Sequence, residues 1–251
     1  MRIVCFLCSV FISLMQTLSA NASETLLFES SRQQTLLLEL YSSQGCSSCP
    51  PAEYWTRSWL NKKALWRSFI PMVFHVDYWD HLGWEDTFAS AEFSRRQSQY
   101  KSMGLSKAVY TPGFILNGKE WRGWFNGDPP KSSQRLVGTL RLELENTDLK
   151  ASYSLSAGSE QLNIAILGFG FETYIRSGEN QQKILPQDFV VLSYKRVDDL
   201  GGIWLSSIEQ PRIKASRYAL VAWVTEKEGL LPKQVLGGYL PYEIFDTMRL
   251  Q

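Results

Sequence analysis

An excess of charge of either sign is missing from this chain. Lys and Arg total 26 against 25 Asp and Glu, so the composition carries no electrostatic footprint for nucleic acid or an anionic membrane surface. Histidine is scarce, with only His75 and His81, both in one short segment. Long apolar runs are missing too. The stretch from Ile3 to Leu14 falls short of the ~20 residues a helix needs to cross a bilayer, and no later segment is longer, so no membrane span is expected. No glycine-rich phosphate loop follows a strand, so no organic cofactor is implied. Internal repeats and low-complexity segments are also absent.

Cysteine is the most telling scarcity, with four residues in the whole chain. Arg2, the apolar run Ile3 to Leu14 and the sequence Ala20-Asn21-Ala22 read as a signal peptide over residues 1–22 with an A-x-A cleavage site. The mature protein is then expected to begin near Ser23 and to be periplasmic or secreted. Cys5 and Cys8 fall in that leader. No small-residue pair of the lipobox kind precedes Cys8, so no lipid anchor is expected. Cys46 and Cys49 then remain as the cysteines of the mature chain. An oxidising compartment with no long-range disulfide means that cysteine is not used here to staple the fold. A bridge closing so short a loop adds little stability by loop entropy.

What is present around Cys46-Ser47-Ser48-Cys49 suits dithiol chemistry. An almost continuously apolar run, Thr35–Tyr41, precedes it and reads as a strand buried on both faces. Pro50-Pro51 and a helical pattern over Ala52–Leu65 follow. Proline is welcome at the first helical position but disfavours helical geometry in the residue before it. A helix starting at Pro50 or Pro51 leaves Cys46 about one turn ahead of its positive end. Cys46 is the expected exposed nucleophile and Cys49 the buried resolving thiol. Glu39, seven residues before Cys46 in an apolar strand, is a candidate proton relay. Paired cysteines at this spacing also bind zinc or copper. Cys46, Cys49 and His75, with His81 as a fourth ligand, form the alternative metal site.

Further along, Phe69–Tyr78 reads as a second strand and Ser90–Met103 as a polar surface helix closed by Gly104. Asn117-Gly118 between Gly113–Leu116 and Glu120–Trp124 is a hairpin signal. Ser132–Glu145 is expected to be helical. Asn146 to Lys150 reads as a boundary. Beyond it Ser152–Ser156, Asn163–Phe169, Phe189–Lys195 and Tyr218–Val224 read as strands, with Ala157–Glu160 as a hairpin loop. Asp77, Trp79 and Trp84, at the end of the second strand, are candidates for a substrate groove. Most of the nine Trp and eleven Tyr are expected to fill the core.

The order strand, C-x-x-C, helix, strand, helix, hairpin resembles the thioredoxin fold. That resemblance predicts a cis proline before the hairpin, packed on the cysteine pair, and Thr111-Pro112 occupies this place. It implies that Thr111 offers its backbone to an extended substrate. The segments LELYSSQGCSSCPPAE, HVDYWDHLGWEDTFAS, RRQSQY and VYTPGFILNG, with Arg176 to Asn180 and Val235 to Leu240, resemble an exported bacterial thioredoxin-like family of unknown function. The sequence departs from true thioredoxins in having Gly45 where they have Trp, and Ser47-Ser48 where they have Gly-Pro. The expected fold class is α/β, with a thioredoxin-like domain over 30–146 followed by a small antiparallel, sandwich-like β-rich domain over 148–251. Three functions follow as alternatives: a thiol–disulfide oxidoreductase acting on protein or peptide clients, a copper- or zinc-handling protein, and a non-catalytic binding module.

Overall fold

A computed structural model describes residues 25–245; the expected leader, with Cys5 and Cys8, lies outside them. In chain order the described elements are β1 (Thr25–Glu29), β2 (Leu36–Ser42), α1 (Pro50–Arg57), β3 (Phe69–His75), α2 (Ala91–Ser102), β4 (Gly113–Leu116) and β5 (Lys119–Glu120). Then come β6 (Leu140–Glu145), β7 (Asp148–Tyr153), β8 (Glu160–Phe169), β9 (Phe171–Tyr174), β10 (Ile184–Gln187), β11 (Val190–Asp198), β12 (Ile203–Ser207), β13 (Arg217–Glu226) and β14 (Gln234–Tyr239). No described helix is long and apolar enough to cross a membrane.

The expected fold class needs correction. Fourteen strands stand against two α-helices among the described residues, so the molecule is mostly β-sheet. It is not a thioredoxin-like α/β domain followed by a small separate β-rich one. One mixed sheet of eight strands, ordered β14-β13-β8-β11-β3-β2-β4-β5, joins strands from both halves of the chain. The join is the parallel pairing of β11 with β3 at Val190 and Val73, where the Val73 N–H donates to the Phe189 carbonyl at 2.9 Å. β3 is buried at every position, and a strand so buried needs a partner on each edge for its backbone groups.

A second sheet, β1-β6-β7-β12, packs on one face of the large one. The two faces of β8 and β13 therefore enter different cores. Leu162, Ile164 and Ile166 with Leu220, Ala222 and Val224 face the small sheet. Ala165, Leu167 and Phe169 with Ala219, Val221 and Trp223 join β2, β3 and the helices. Strands buried on both sides have no polar face, which explains why β8 and β13 read as apolar runs.

Local signals fared unevenly. α1 begins at Pro50 as expected but ends at Arg57, with a 3₁₀ turn over Ser58–Asn61. α2 is capped by the Ser90 hydroxyl, which accepts from the Glu92 N–H at 3.2 Å. It is not a surface helix, because Phe93, Arg96, Gln97 and Tyr100 are buried. The helix expected over Ser132–Glu145 is absent; Leu140–Glu145 is β6, with Leu140, Leu142 and Leu144 buried in alternation. The period of two in LRLELE outweighed the helix propensity of Leu, Arg and Glu. Ala157–Glu160 joins strands of different sheets rather than a hairpin.

Asn117 (φ 49°) and Gly118 (φ 84°) form the turn between β4 and β5, with the positive φ values that a two-residue hairpin favours. A Cβ at Gly118 would stand 2.6 Å from Leu231 Cδ2 and 2.9 Å from Leu231 Cα. Gly118→Ala is therefore expected to destabilise the protein by about 1–3 kcal/mol, read by urea unfolding. An unchanged midpoint would mean that the 230–231 turn yields freely.

Candidate functional site

Cys46 and Cys49 are joined in a disulfide. Cys46 follows the end of β2 on a tight turn, in which its N–H donates to the Ser43 carbonyl at 3.1 Å and the Cys49 N–H to the Cys46 carbonyl at 3.2 Å. Cys49 caps α1, its carbonyl accepting from the Ala52 and Glu53 N–H groups. Cys46 thus sits ahead of the helix, and Pro50 and Pro51 bring no N–H toward it. The expected exposure of Cys46 is corrected: it is 1% exposed and Cys49 is fully buried. The loop shows Ser47 and Ser48 to solvent, and the Ser48 hydroxyl lies 3.3 Å from the Cys46 sulfur. At Gly45 a Cβ would meet Trp79 Cβ at 3.2 Å. Trp79 fills that space, so a side chain at this position would crowd it.

The Thr111–Pro112 peptide is cis. Ser48, Thr111 and Pro112 share an open cleft of about 610 Å³ with Tyr110, Trp124 and Phe125. Lys107 and Arg122 bring positive charge to it, and Glu120 brings one carboxylate. That carboxylate is held below the usual range, chiefly by the Lys107 N–H, with Tyr110 and Arg122 adding to it. Burial and the Glu120 hydrogen bond push the Tyr110 hydroxyl up to about 12. The Arg122 guanidinium lies over the Phe125 ring at 5.1 Å. The cleft therefore combines three aromatic side chains with two cations and one carboxylate.

The three residues expected to line a groove do not line this cleft; they brace its surroundings. Trp79 Nε1 donates to the Thr111 hydroxyl at 2.8 Å, and Trp84 Nε1 to Gln44 Oε1 at 2.9 Å. Asp77 accepts from the Ser94 hydroxyl. Glu39 is fully buried on β2 and takes two hydrogen bonds from Arg96 and one each from Tyr41 and Tyr100. None of these bonds runs to a cysteine. His75 is buried in β3 with Nδ1 at 2.7 Å from Asp86 Oδ2, whereas His81 is exposed on the turn Asp80–Leu82. Among the described residues no group of three or more His, Cys, Asp or Glu could hold a metal ion.

Sequence reasoning missed a buried polar cluster behind the disulfide loop. Asp86 Oδ2 accepts both His75 and the Gln44 N–H at 2.7 Å, two residues before Cys46. Glu53, on the helix that Cys49 caps, accepts from the Ser42 hydroxyl. Burial raises the Glu53 carboxyl, although His75 and Ser42 oppose this. Burial alone would lower His75; the charge and hydrogen bond of Asp86, with Glu53, outweigh it and leave His75 raised. His75 at the end of an apolar strand was the available signal, but no spacing in the chain links it to Asp86 or to Glu53 on α1.

These features define a class: a mixed β-sheet protein with a C-x-x-C disulfide loop, one of whose serines shares an open cleft with a cis proline. The chain belongs to the family described as Protein of unknown function (DUF1223), whose model matches residues 37–225. A crystal structure of a protein from Agrobacterium tumefaciens, 23% identical, is similar over 84% of this chain and 96% of that one, with a TM-score of 0.58. HBP35 of Porphyromonas gingivalis, 10% identical, aligns over 84% of this chain and 76% of its own, with a TM-score of 0.47. No curated protein matches the sequence.

Proposed function

We propose that this protein is an exported thiol–disulfide oxidoreductase that works through Cys46 and Cys49 on protein or peptide clients. One observation carries the reading: the C-x-x-C turn forms part of the wall of an open cleft, with Ser48 lining it beside Thr111 and Pro112. A crosslink serving only the fold needs no such setting, and one that spans three residues restrains the unfolded chain little.

In the oxidising direction the exposed Ser47-Ser48 turn moves off the buried Cys46 sulfur, a client thiolate attacks that sulfur, the Cys46–Cys49 bond breaks, and Cys49 leaves as a thiolate that takes up a proton. A second client thiolate attacks the client sulfur of this mixed disulfide and releases Cys46. Two electrons have then passed from client to protein. The reducing direction runs the same exchanges backwards, with Cys49 resolving the adduct. An extended client laid along the cleft meets the Thr111 backbone and the Trp124 and Phe125 rings, with Lys107 and Arg122 favouring a client that is not itself basic.

Cys49→Ser is the direct test. The variant is expected to accumulate Cys46-linked mixed disulfides with client proteins, released by dithiothreitol and absent from Cys46→Ser. No captured species, together with a wild-type reduction potential below about −300 mV, the range of inert structural bridges, would sink the reading.

A further inference from the structure

The connection between β9 and β10, residues 175–183, lies across the disulfide loop. Its own turn is closed by bonds from the Gln182 N–H to the Ile175 carbonyl at 2.8 Å and from the Ile175 N–H to the Lys183 carbonyl at 2.9 Å. Three residues of it grip the segments around the cysteines. Ser177 donates its hydroxyl to the Gly83 carbonyl at 2.5 Å. Asn180, fully buried, donates Nδ2 to both the Gln44 and Cys46 carbonyls at 2.9 Å. Lys183 in turn fixes the Asn180 side-chain oxygen at 2.9 Å. The Glu179 carboxylate accepts the Ser47 N–H at 3.0 Å.

The last contact bears on sulfur chemistry. A Cys46 thiolate draws its stabilisation from nearby N–H and hydroxyl donors and from positive charge. Besides the Ser48 hydroxyl at 3.3 Å from the sulfur, donors are few here, because Pro50 and Pro51 have no N–H and the Cys49 N–H is already given to the Cys46 carbonyl. The Ser47 N–H is the donor next in the chain to Cys46, and Glu179 occupies it. Glu179 also brings a negative charge to the same spot, so both effects act against a thiolate. The Ser47 hydroxyl and N–H hold the Glu179 carboxyl below the usual carboxylate range, so it is charged at neutral pH. The other charges around the loop are Arg176 and Lys183 on the same connection, Lys107, Arg122 and Glu120 across the cleft, and the buried Glu53, His75 and Asp86 behind it.

We propose that Glu179 is a positioning residue that sets the redox poise of the pair: by fixing its negative charge on the Ser47 N–H beside Cys46, it disfavours the thiolate and keeps the disulfide harder to reduce. This rests on the oxidoreductase reading, since poise matters only to a pair that exchanges. The dithiol side gains two electrons and two protons from a thiol client. Whatever destabilises its thiolate moves the equilibrium toward the disulfide.

Glu179→Gln keeps an acceptor oxygen and removes the charge. Equilibrated in glutathione buffer at pH 7, the full chain with this change is expected to shift about three- to tenfold toward the dithiol. That is roughly 15–30 mV at 29.6 mV per tenfold change. Thiolate absorbance at 240 nm in the reduced protein is expected to appear at lower pH than in the wild type. Glu179→Asp is expected to lie nearer the wild type. Glu172→Gln, a charge change on the same hairpin, is expected to leave both readouts unmoved. Identical equilibrium and titration curves for Glu179→Gln and wild type overturn the proposal, as does an equal shift in Glu172→Gln. The thiolate titration needs no client, so a Glu179 effect seen there while Cys49→Ser captures nothing would count against the oxidoreductase reading alone.

Discussion

Arg96→Met is expected to destabilise the protein by about 3–5 kcal/mol, the range for breaking one partner out of a buried ion pair. Arg96 and Glu39 have side chains 3% and 1% exposed. Arg96 Nε and Nη2 reach the two Glu39 oxygens at 2.9 Å each, the two-point geometry that makes Arg–carboxylate pairs strong. Tyr100 and Tyr41 donate to the same oxygens at 2.5 and 2.8 Å. Burial, with the Glu39 charge adding to it, pushes the Tyr41 hydroxyl well above the ordinary phenol range, so it remains a donor. The guanidinium is enclosed by the rings of Phe74, Tyr100, Tyr194 and Trp223 at 5.1 to 5.6 Å. Methionine fills much of that volume but leaves the buried Glu39 carboxyl without its cation. Glu39→Gln combined with Arg96→Met is therefore expected to recover a large part of the loss in urea unfolding. A single variant within about 1 kcal/mol of wild type would show that the tyrosines alone hold the carboxylate.

Asp86→Asn carries the second large effect, about 2–4 kcal/mol at pH 6, because it weakens a charge-assisted bond to His75 and the anchor of the Gln44 N–H together. Its pH dependence is distinctive. His75 is raised in the folded state above its ordinary 6.5, so the stability it contributes is full below that value. It is lost as pH rises through the folded pKa. Glu53 is raised from 4.5 and acts in the same sense, its contribution fading as pH climbs through its own folded value. Wild-type unfolding free energy is expected to fall between pH 6 and pH 9, and Asp86→Asn to flatten that slope. Chemical denaturation at pH 6, 7.5 and 9 checks both. A wild-type profile level over that window would mean that His75 is not charged in the fold. The same variant loosens Gln44, so faster reduction of the Cys46–Cys49 bridge is expected alongside it.

Both networks join residues far apart in the chain, and this separates what could be read in advance from what could not. Ser90 as a helix cap, Pro50 at a helix start and Asn117-Gly118 as a turn are local chemistry, decided by φ preferences and by donors a few residues away. Leu140–Glu145 was misread because its residues favour a helix when alone and a strand only when three leucines can face a core. Arg96 looked like a surface charge because nothing near it in the chain announces Glu39 across the core. Glu179 and Asn180 could be singled out by family likeness alone; their contacts run 132 and 134 residues back along the chain to Ser47 and Cys46.

By itself the sequence determined the C-x-x-C pair, the helix that starts behind it, the proline ahead of β4 and the balanced charge. Each follows from residue chemistry that does not depend on distant neighbours. Only the tertiary structure decided that β3 takes β11 as its parallel partner and so draws both halves of the chain into one sheet. It also decided that Cys46 is covered, that the cleft is walled by Trp124 and Phe125 rather than Trp79 and Trp84, and that a carboxylate meets the Ser47 N–H. The physical reason is common to all four. Strand pairing and burial are settled by which apolar faces and backbone donors meet after the chain has closed long loops, and no local preference encodes that meeting.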